Sequence, residues 1–186
     1  MAALGCVVAA CAPADPSPIR IVSLVRDFRD AEARPSPAAF EVADVSIGGR
    51  SEPAIRTIAP SRLVFVLPVP RRSTFTARVA IDGGMNAMSP QPLRFRVGVS
   101  DDRIYEQLAD VLLTPGIHTG WTDVRASLSA YAGCQWSLFY RPERQAWRLV
   151  LSTDAPAGAG RGVWGAPGID ADRAAAREYN ARVQAR

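Results

Sequence analysis

Phe95-Arg96-Val97-Gly98-Val99-Ser100-Asp101-Asp102-Arg103-Ile104-Tyr105-Glu106 is the stretch whose reading decides the fold of this chain. Phe95, Val97 and Val99 alternate with Arg96, Gly98 and Ser100, the period of a strand with one apolar face. Ser100-Asp101-Asp102 interrupts the run with side chains that bond their own backbone in turns, and a β-prone segment resumes at Ile104. The segment therefore reads as strand, tight turn and returning strand, a hairpin reaching to Leu108.

The same pattern recurs on both sides of this hairpin. Ile19 to Val25 is β-prone; Arg26 to Arg34 is charged and closed by Pro35 and Pro37. Phe40 to Ile47 alternates before its phase shifts, then ends in the turn signal Gly48-Gly49. Ser61 to Val69 places Leu63, Phe65 and Leu67 on one face and Val64 and Val66 on the other, a strand expected to be buried on both sides. Phe75, Ala77, Val79 and Ile81 alternate up to Asp82-Gly83-Gly84. Trp121 to Leu128 reads as a strand leading into the turn Ser129-Ala130-Tyr131-Ala132-Gly133. Trp136 to Tyr140 and Ala146 to Leu151 flank Arg141-Pro142-Glu143-Arg144 as a second hairpin. Val163-Trp164 is expected as a last short strand. From Asp170 the character changes: acidic residues, alanines and a Glu178/Arg182 pair predict a helix. At about 15 residues such a helix is marginal alone and must pack on the rest or fray.

Short strands at regular intervals predict an all-β fold, a two-sheet antiparallel sandwich with a short C-terminal helix. The expected organisation is a leader and Pro-rich tether over residues 1–18, one sandwich over 19–169 and the helix over 170–186. With 186 residues the chain has material for one real core, and its 15 prolines and 14 glycines favour many short elements. All 22 basic residues are arginine, for a net charge of +4. An arginine-only composition reads first as a genomic bias. An anion- or polysaccharide-binding surface would require the arginines to gather on one face. No arginine block is interleaved with aromatics, which argues against nucleic acid as a partner.

Val8-Ala9-Ala10-Cys11 resembles the lipobox of bacterial lipoproteins, and Ala12 to Pro18 follows it as a tether would. The resemblance implies acylation at Cys11, removal of Cys6 with the leader, and a membrane partner through the lipid. Only ten residues and no basic n-region precede Cys11, which points to an upstream start. Cys134 then remains a single thiol with no disulfide required. Three cysteines and one histidine argue against a metal site.

Four further segments carry a second resemblance: Val45 to Gly49 with Pro53-Ala54-Ile55; Ser61 to Phe65; Phe95 to Glu106; and Leu128 to Gly133 with Trp164-Gly165-Ala166-Pro167. In order and spacing they resemble the β-sandwich modules of bacterial extracytoplasmic sulfatase-like and surface proteins. The architecture implied is a galactose-binding-like jelly roll, two antiparallel sheets packed face to face. The chain departs from the family at Ser127, where an Asp is usual, and at Cys134 to Gln145, which reads as an insertion.

A catalytic set is hard to assemble. Cys11-Ala12-Pro13-Ala14-Asp15 has Asp15 where the sulfatase nucleophile pattern needs arginine. His118 is the only histidine, no Gly-x-Ser-x-Gly elbow exists, and Gly158 to Gly162 lacks the residues of a phosphate loop. Asp101, Asp102 and Asp82 suggest turn chemistry before calcium. A hydrolase built on Asp101, Asp102 and Glu106 ranks last, because adjacent turn carboxylates diverge. Neither catalytic residue, cofactor nor metal is assigned. Trp121, Trp136, Tyr140 and Trp147 are the candidate ligand-binding residues, since indole and phenol rings pack on the C–H faces of sugars. Trp136 shares a face with Leu138 and Tyr140, and Trp147 with Leu149 and Leu151, so the same pattern also serves inward core packing. The function expected is a non-catalytic, lipid-anchored extracytoplasmic module that contacts a glycan or an envelope protein. The alternative is a purely structural accessory domain.

Overall fold

The computed structural model describes residues 17–83, 91–101, 103–132, 147–156 and 160–184. Among these lie eleven strands: β1 (Ile19–Ser23), β2 (Glu32–Arg34), β3 (Phe40–Ile47), β4 (Arg50–Ile58), β5 (Ser61–Leu67), β6 (Ser73–Asp82), β7 (Leu93–Ser100), β8 (Tyr105–Leu113), β9 (Thr122–Ser127), β10 (Trp147–Asp154) and β11 (Arg161–Ala171). A single α-helix, α1 (Arg173–Gln184), follows. One sheet runs β3-β4-β11-β6-β9, with β1 pairing the end of β11; the other runs β2-β5-β10-β7-β8. Every pairing is antiparallel. The fold class expected from sequence is the one observed.

Local chemistry explains the hairpins. β7 and β8 close where Ser100 pairs with Tyr105. Asp101 Oδ1 accepts the backbone N–H groups of Arg103 at 3.0 Å and Ile104 at 2.9 Å, which holds its carboxyl below the usual range. β3 and β4 close at Gly48 and Gly49, whose φ values of 59° and 78° are those a two-residue hairpin loop requires.

The core lies between the sheets and centres on Trp164 of β11. Its ring meets Phe75 at 6.5 Å and Phe95 at 5.3 Å, both edge-on, and its Nε1–H donates to Thr153 Oγ1 at 3.0 Å. Leu63, Phe65 and Leu67 enter this core from β5, with Leu149 and Leu151 from β10. The opposite face of β5 is only half as expected: Val64 is buried, but Val66 is 60% exposed because no layer among the described residues covers that side of the sheet.

Three expectations change. β10 cannot pair along its length in a local hairpin, because β5 takes one edge and β7 the other; residues 133–146, including the rest of that expected hairpin, lie outside the described residues. Val163-Trp164 is not a short last strand but part of the 11-residue β11. Gly165-Ala166-Pro167-Gly168 breaks its register with β6 by one residue, a bulge at which β11 leaves β4 and takes up β1, with Ile19 pairing Ala171. The helix consequently starts at Arg173 and not at Asp170, which is still in β11. Asp172 caps it, accepting Ala175 N–H on Oδ1 at 2.7 Å. Ala175 and Ala176 are buried and Tyr179 packs on the core, so α1 docks against β1 of its own sandwich. The Arg182 side chain of the expected Glu178 pair lies outside the described residues.

Candidate functional site

The outer faces of the two sheets are built differently. On the six-stranded sheet, Gly165 of β11 leaves room for one large neighbour. The Trp121 ring lies on it, 2.7 Å from where a Cβ would stand, and the indole N–H donates to the Arg50 carbonyl at 3.1 Å. Val45, Ala54 and Val163, with Ile47, form a small apolar cluster under that ring. Beside it, Glu52 is bound by Arg50 at 2.5 Å and Arg78 at 2.7 Å, and Arg78 reaches on to Asp123 at 3.2 Å. At the β1 end Arg20 bonds Asp170, Thr76 Oγ1 and the Ala166 carbonyl. This face is tied down by its own ion pairs and by an anchored tryptophan.

The five-stranded sheet presents a wider opening of about 320 Å³, lined by Glu32, Arg34, Arg62, Val64, Ser100, Tyr105, Arg148 and Val150. Strand alternation explains the set, since Glu32 and Val64, Arg34 and Arg62, and Arg148 and Ser100 are register partners on one face. Val64 and Val150 form its floor. Tyr105 stands opposite Ser100 on β8 and leans diagonally over Gly98, whose absent side chain is what admits the ring: three ring and hydroxyl atoms lie 2.5 Å from an ideal Cβ position. Tyr105 remains 43% exposed. Burial of its inner side pushes the phenol above its ordinary value, against the pull of Arg96 and Arg62, so at neutral pH it is a hydroxyl donor.

Charges surround the ring. Arg96 bonds Asp154 through Nε at 3.0 Å and Nη2 at 2.7 Å, a pairing that raises the guanidinium value further. Arg34 holds Glu32 at 2.5 Å, and Arg94 lies 3.6 Å from Asp110. Arg62 makes no ion pair among the described residues. An apolar floor, one exposed ring and a rim of forked donors can hold the C–H face of a pyranose and bond its hydroxyls.

The residues singled out from sequence are dispersed. Trp121 is on the opposite sheet, roofing the cluster above. Trp147 points inward with Leu149 and Leu151 and packs edge-on to Tyr131 at 5.1 Å at the margin of the core. The two therefore share no platform; Trp136, Tyr140 and Cys11 lie outside the described residues. His118 closes a loop, its Nδ1 accepting the Thr114 N–H at 2.9 Å. Of the carboxylates considered for hydrolysis, Asp101 holds its turn, Glu106 is on the other side of β8 from Tyr105 and accepts the Tyr131 hydroxyl, and Asp102 lies outside the described residues. Ser127 makes only a long contact to Ser129 N–H, 3.4 Å. Among the described residues no three His, Cys, Asp or Glu side chains gather where they could hold a metal ion. Sequence reasoning missed Tyr105; the signal for it was a glycine in mid-strand, facing an aromatic one diagonal step across the hairpin.

No protein-family model matches the chain, and no curated protein matches its sequence. Solved structures do. CBM51 from Clostridium perfringens GH95, in complex with methyl-galactose, is similar with a TM-score of 0.56 at 18% identity, over 80% of this chain and 98% of that one. The M60 catalytic domain with the CBM51-1 and CBM51-2 domains from Clostridium perfringens ZmpB gives 0.51 at 13% identity, over 76% of this chain and 14% of that one. The fold is the jelly roll of carbohydrate-binding modules. Identities this low establish architecture and transfer no residue roles.

Proposed function

We propose that this chain is a non-catalytic carbohydrate-binding module that seats a glycan on the outer face of its five-stranded sheet, with the Tyr105 ring as platform. The observation that carries the reading is the ring laid over Gly98, half exposed, above Val64 and Val150 and within a rim of arginines and carboxylates. Ring-on-sugar packing supplies area and orientation, and the polar rim supplies selectivity. Similarity of fold to a module solved with methyl-galactose supports the class of ligand. A glycan array followed by titration of the best binders tests it. Tyr105→Ala should weaken binding roughly ten-fold or more while the thermal midpoint holds. Binding that is unchanged in this variant places the sugar elsewhere.

The proposal extends to an address. The lipobox-like Val8-Ala9-Ala10-Cys11 and the Pro-rich segment after it support an extracytoplasmic lipoprotein tethered through Cys11. The four matching segments support kinship with the accessory modules of sulfatase-like enzymes. Labelling with a clickable fatty acid, wild type against Cys11→Ser, each expressed with its native upstream coding region, tests the anchor. Label lost in the variant supports it, and an unlabelled wild type removes it.

A further inference from the structure

We infer that the glycan bound at this face is anionic, carrying a carboxylate or sulfate group, and that Arg62 receives that group. The inference rests on the seating of a glycan over Tyr105 proposed above and adds the class of sugar. Among the described residues, the strand registers put five arginines on this face, Arg34, Arg62, Arg94, Arg96 and Arg148, against three carboxylates, Glu32, Asp110 and Asp154. Each carboxylate has its own guanidinium: Glu32 has Arg34, Asp154 has Arg96 and Asp110 has Arg94. Once these three pairs are made, Arg62 is left with no ion pair among the described residues.

Arg62 is where positive charge on this face is open to a ligand. It is exposed, it projects from β5 beside Val64, and it makes no ion pair among the described residues. From β5, with β10 and β7 between, it lines the same opening as the Tyr105 ring on β8, and its charge acts on the phenol. A sugar stacked on the ring would carry an acidic substituent within reach of a planar fork suited to carboxylate and sulfate oxygens. Arg62 selects by charge and the ring selects for a sugar, which a polyanion of another class does not satisfy.

Affinity electrophoresis and calorimetry of the full chain provide the test. The probes are polygalacturonate, the same polymer fully methyl-esterified, a sulfated galactan, unsulfated galactan and duplex DNA. Polygalacturonate or the sulfated galactan should bind at least ten-fold more tightly than its neutral counterpart, and Arg62→Gln should erase that difference while Arg62→Lys keeps part of it. The sulfate and carboxylate arms identify which acid is read. Equal binding of neutral and acidic polymers, lost in Tyr105→Ala, overturns the anionic preference and leaves the glycan site standing. Failure of every acidic polymer to bind also overturns it. Binding that is indifferent to Tyr105→Ala and matched by DNA overturns both, leaving only a diffuse basic surface.

Discussion

Gly98 and Gly168 would each be crowded by a Cβ, but by different kinds of neighbour. At Gly98 the obstacle is the Tyr105 ring, the far end of a side chain that can swing into solvent. Gly98→Ala should therefore cost little in stability yet lift the ring from its seat. The expected outcome is a thermal midpoint within a few degrees of wild type and a loss of glycan affinity comparable to Tyr105→Ala, read by differential scanning fluorimetry and titration. At Gly168 the obstacle is the Val22 carbonyl, 2.3 Å from the Cβ position, and backbone cannot swing away. Gly168→Ala should destabilise by about 1–3 kcal/mol through displacement of β1, measured by urea unfolding, with sugar binding intact in the folded fraction.

Among the elements, the hairpin read as Phe95 to Leu108 was legible because alternation, a turn aspartate and a β-prone return agreed, though its strands run further, from Leu93 to Leu113. β11 was not, and the reason is physical. Gly165-Ala166-Pro167-Gly168 has turn composition, yet here it makes a bulge inside a strand that is paired on both sides, a role that only the partner strands define. β2 is three residues long, too short for any period to register. The helix is legible in its alanines, but its first residue is not, because two aspartates stand near its start with different partners. Asp170 belongs to the Arg20 and Thr76 cluster, and Asp172 is the cap. Asp172→Ala should lower stability by about 1 kcal/mol, with chemical denaturation as the check. Because Asp172 also meets Arg72 at 2.9 Å, Asp172→Asn should recover most of the cap but not the ion pair.

The molecule as a whole has an alkaline limit set by its tyrosines. Burial, with the Glu106 hydrogen bond, pushes Tyr131 up to about 12 from an ordinary 10.0. A phenol whose folded value is raised favours folding fully below its unfolded value and loses that contribution as pH rises through the folded one. Stability should accordingly be level in this respect up to about pH 10 and fall between 10 and 12. Tyr131→Phe should flatten that fall, seen as circular dichroism melts across the range. The candidate site was less legible than the fold for a related reason. Attention to tryptophan picks out the largest rings, but Trp121 and Trp147 spend theirs on packing, and the ring left open among the described residues belongs to a tyrosine seated over a glycine in another strand.

The pairing of Ile19 with Ala171 sets how the sandwich responds to being pulled. Both flanking segments leave from the same end of an antiparallel pair, so tension applied between them does not shear β1 along β11 but peels it away, one rung at a time. The second rung, Arg20 with Asp170, is where the guanidinium grips a carboxylate, a threonine hydroxyl and the Ala166 carbonyl together, and Gly168 lets β1 sit close two rungs further on. That cluster works as a latch at the start of the zipper. Force transmitted instead from a held sugar would be spread across five strands of the other sheet, so the module would keep its grip on a load and give way first at the β1 seam.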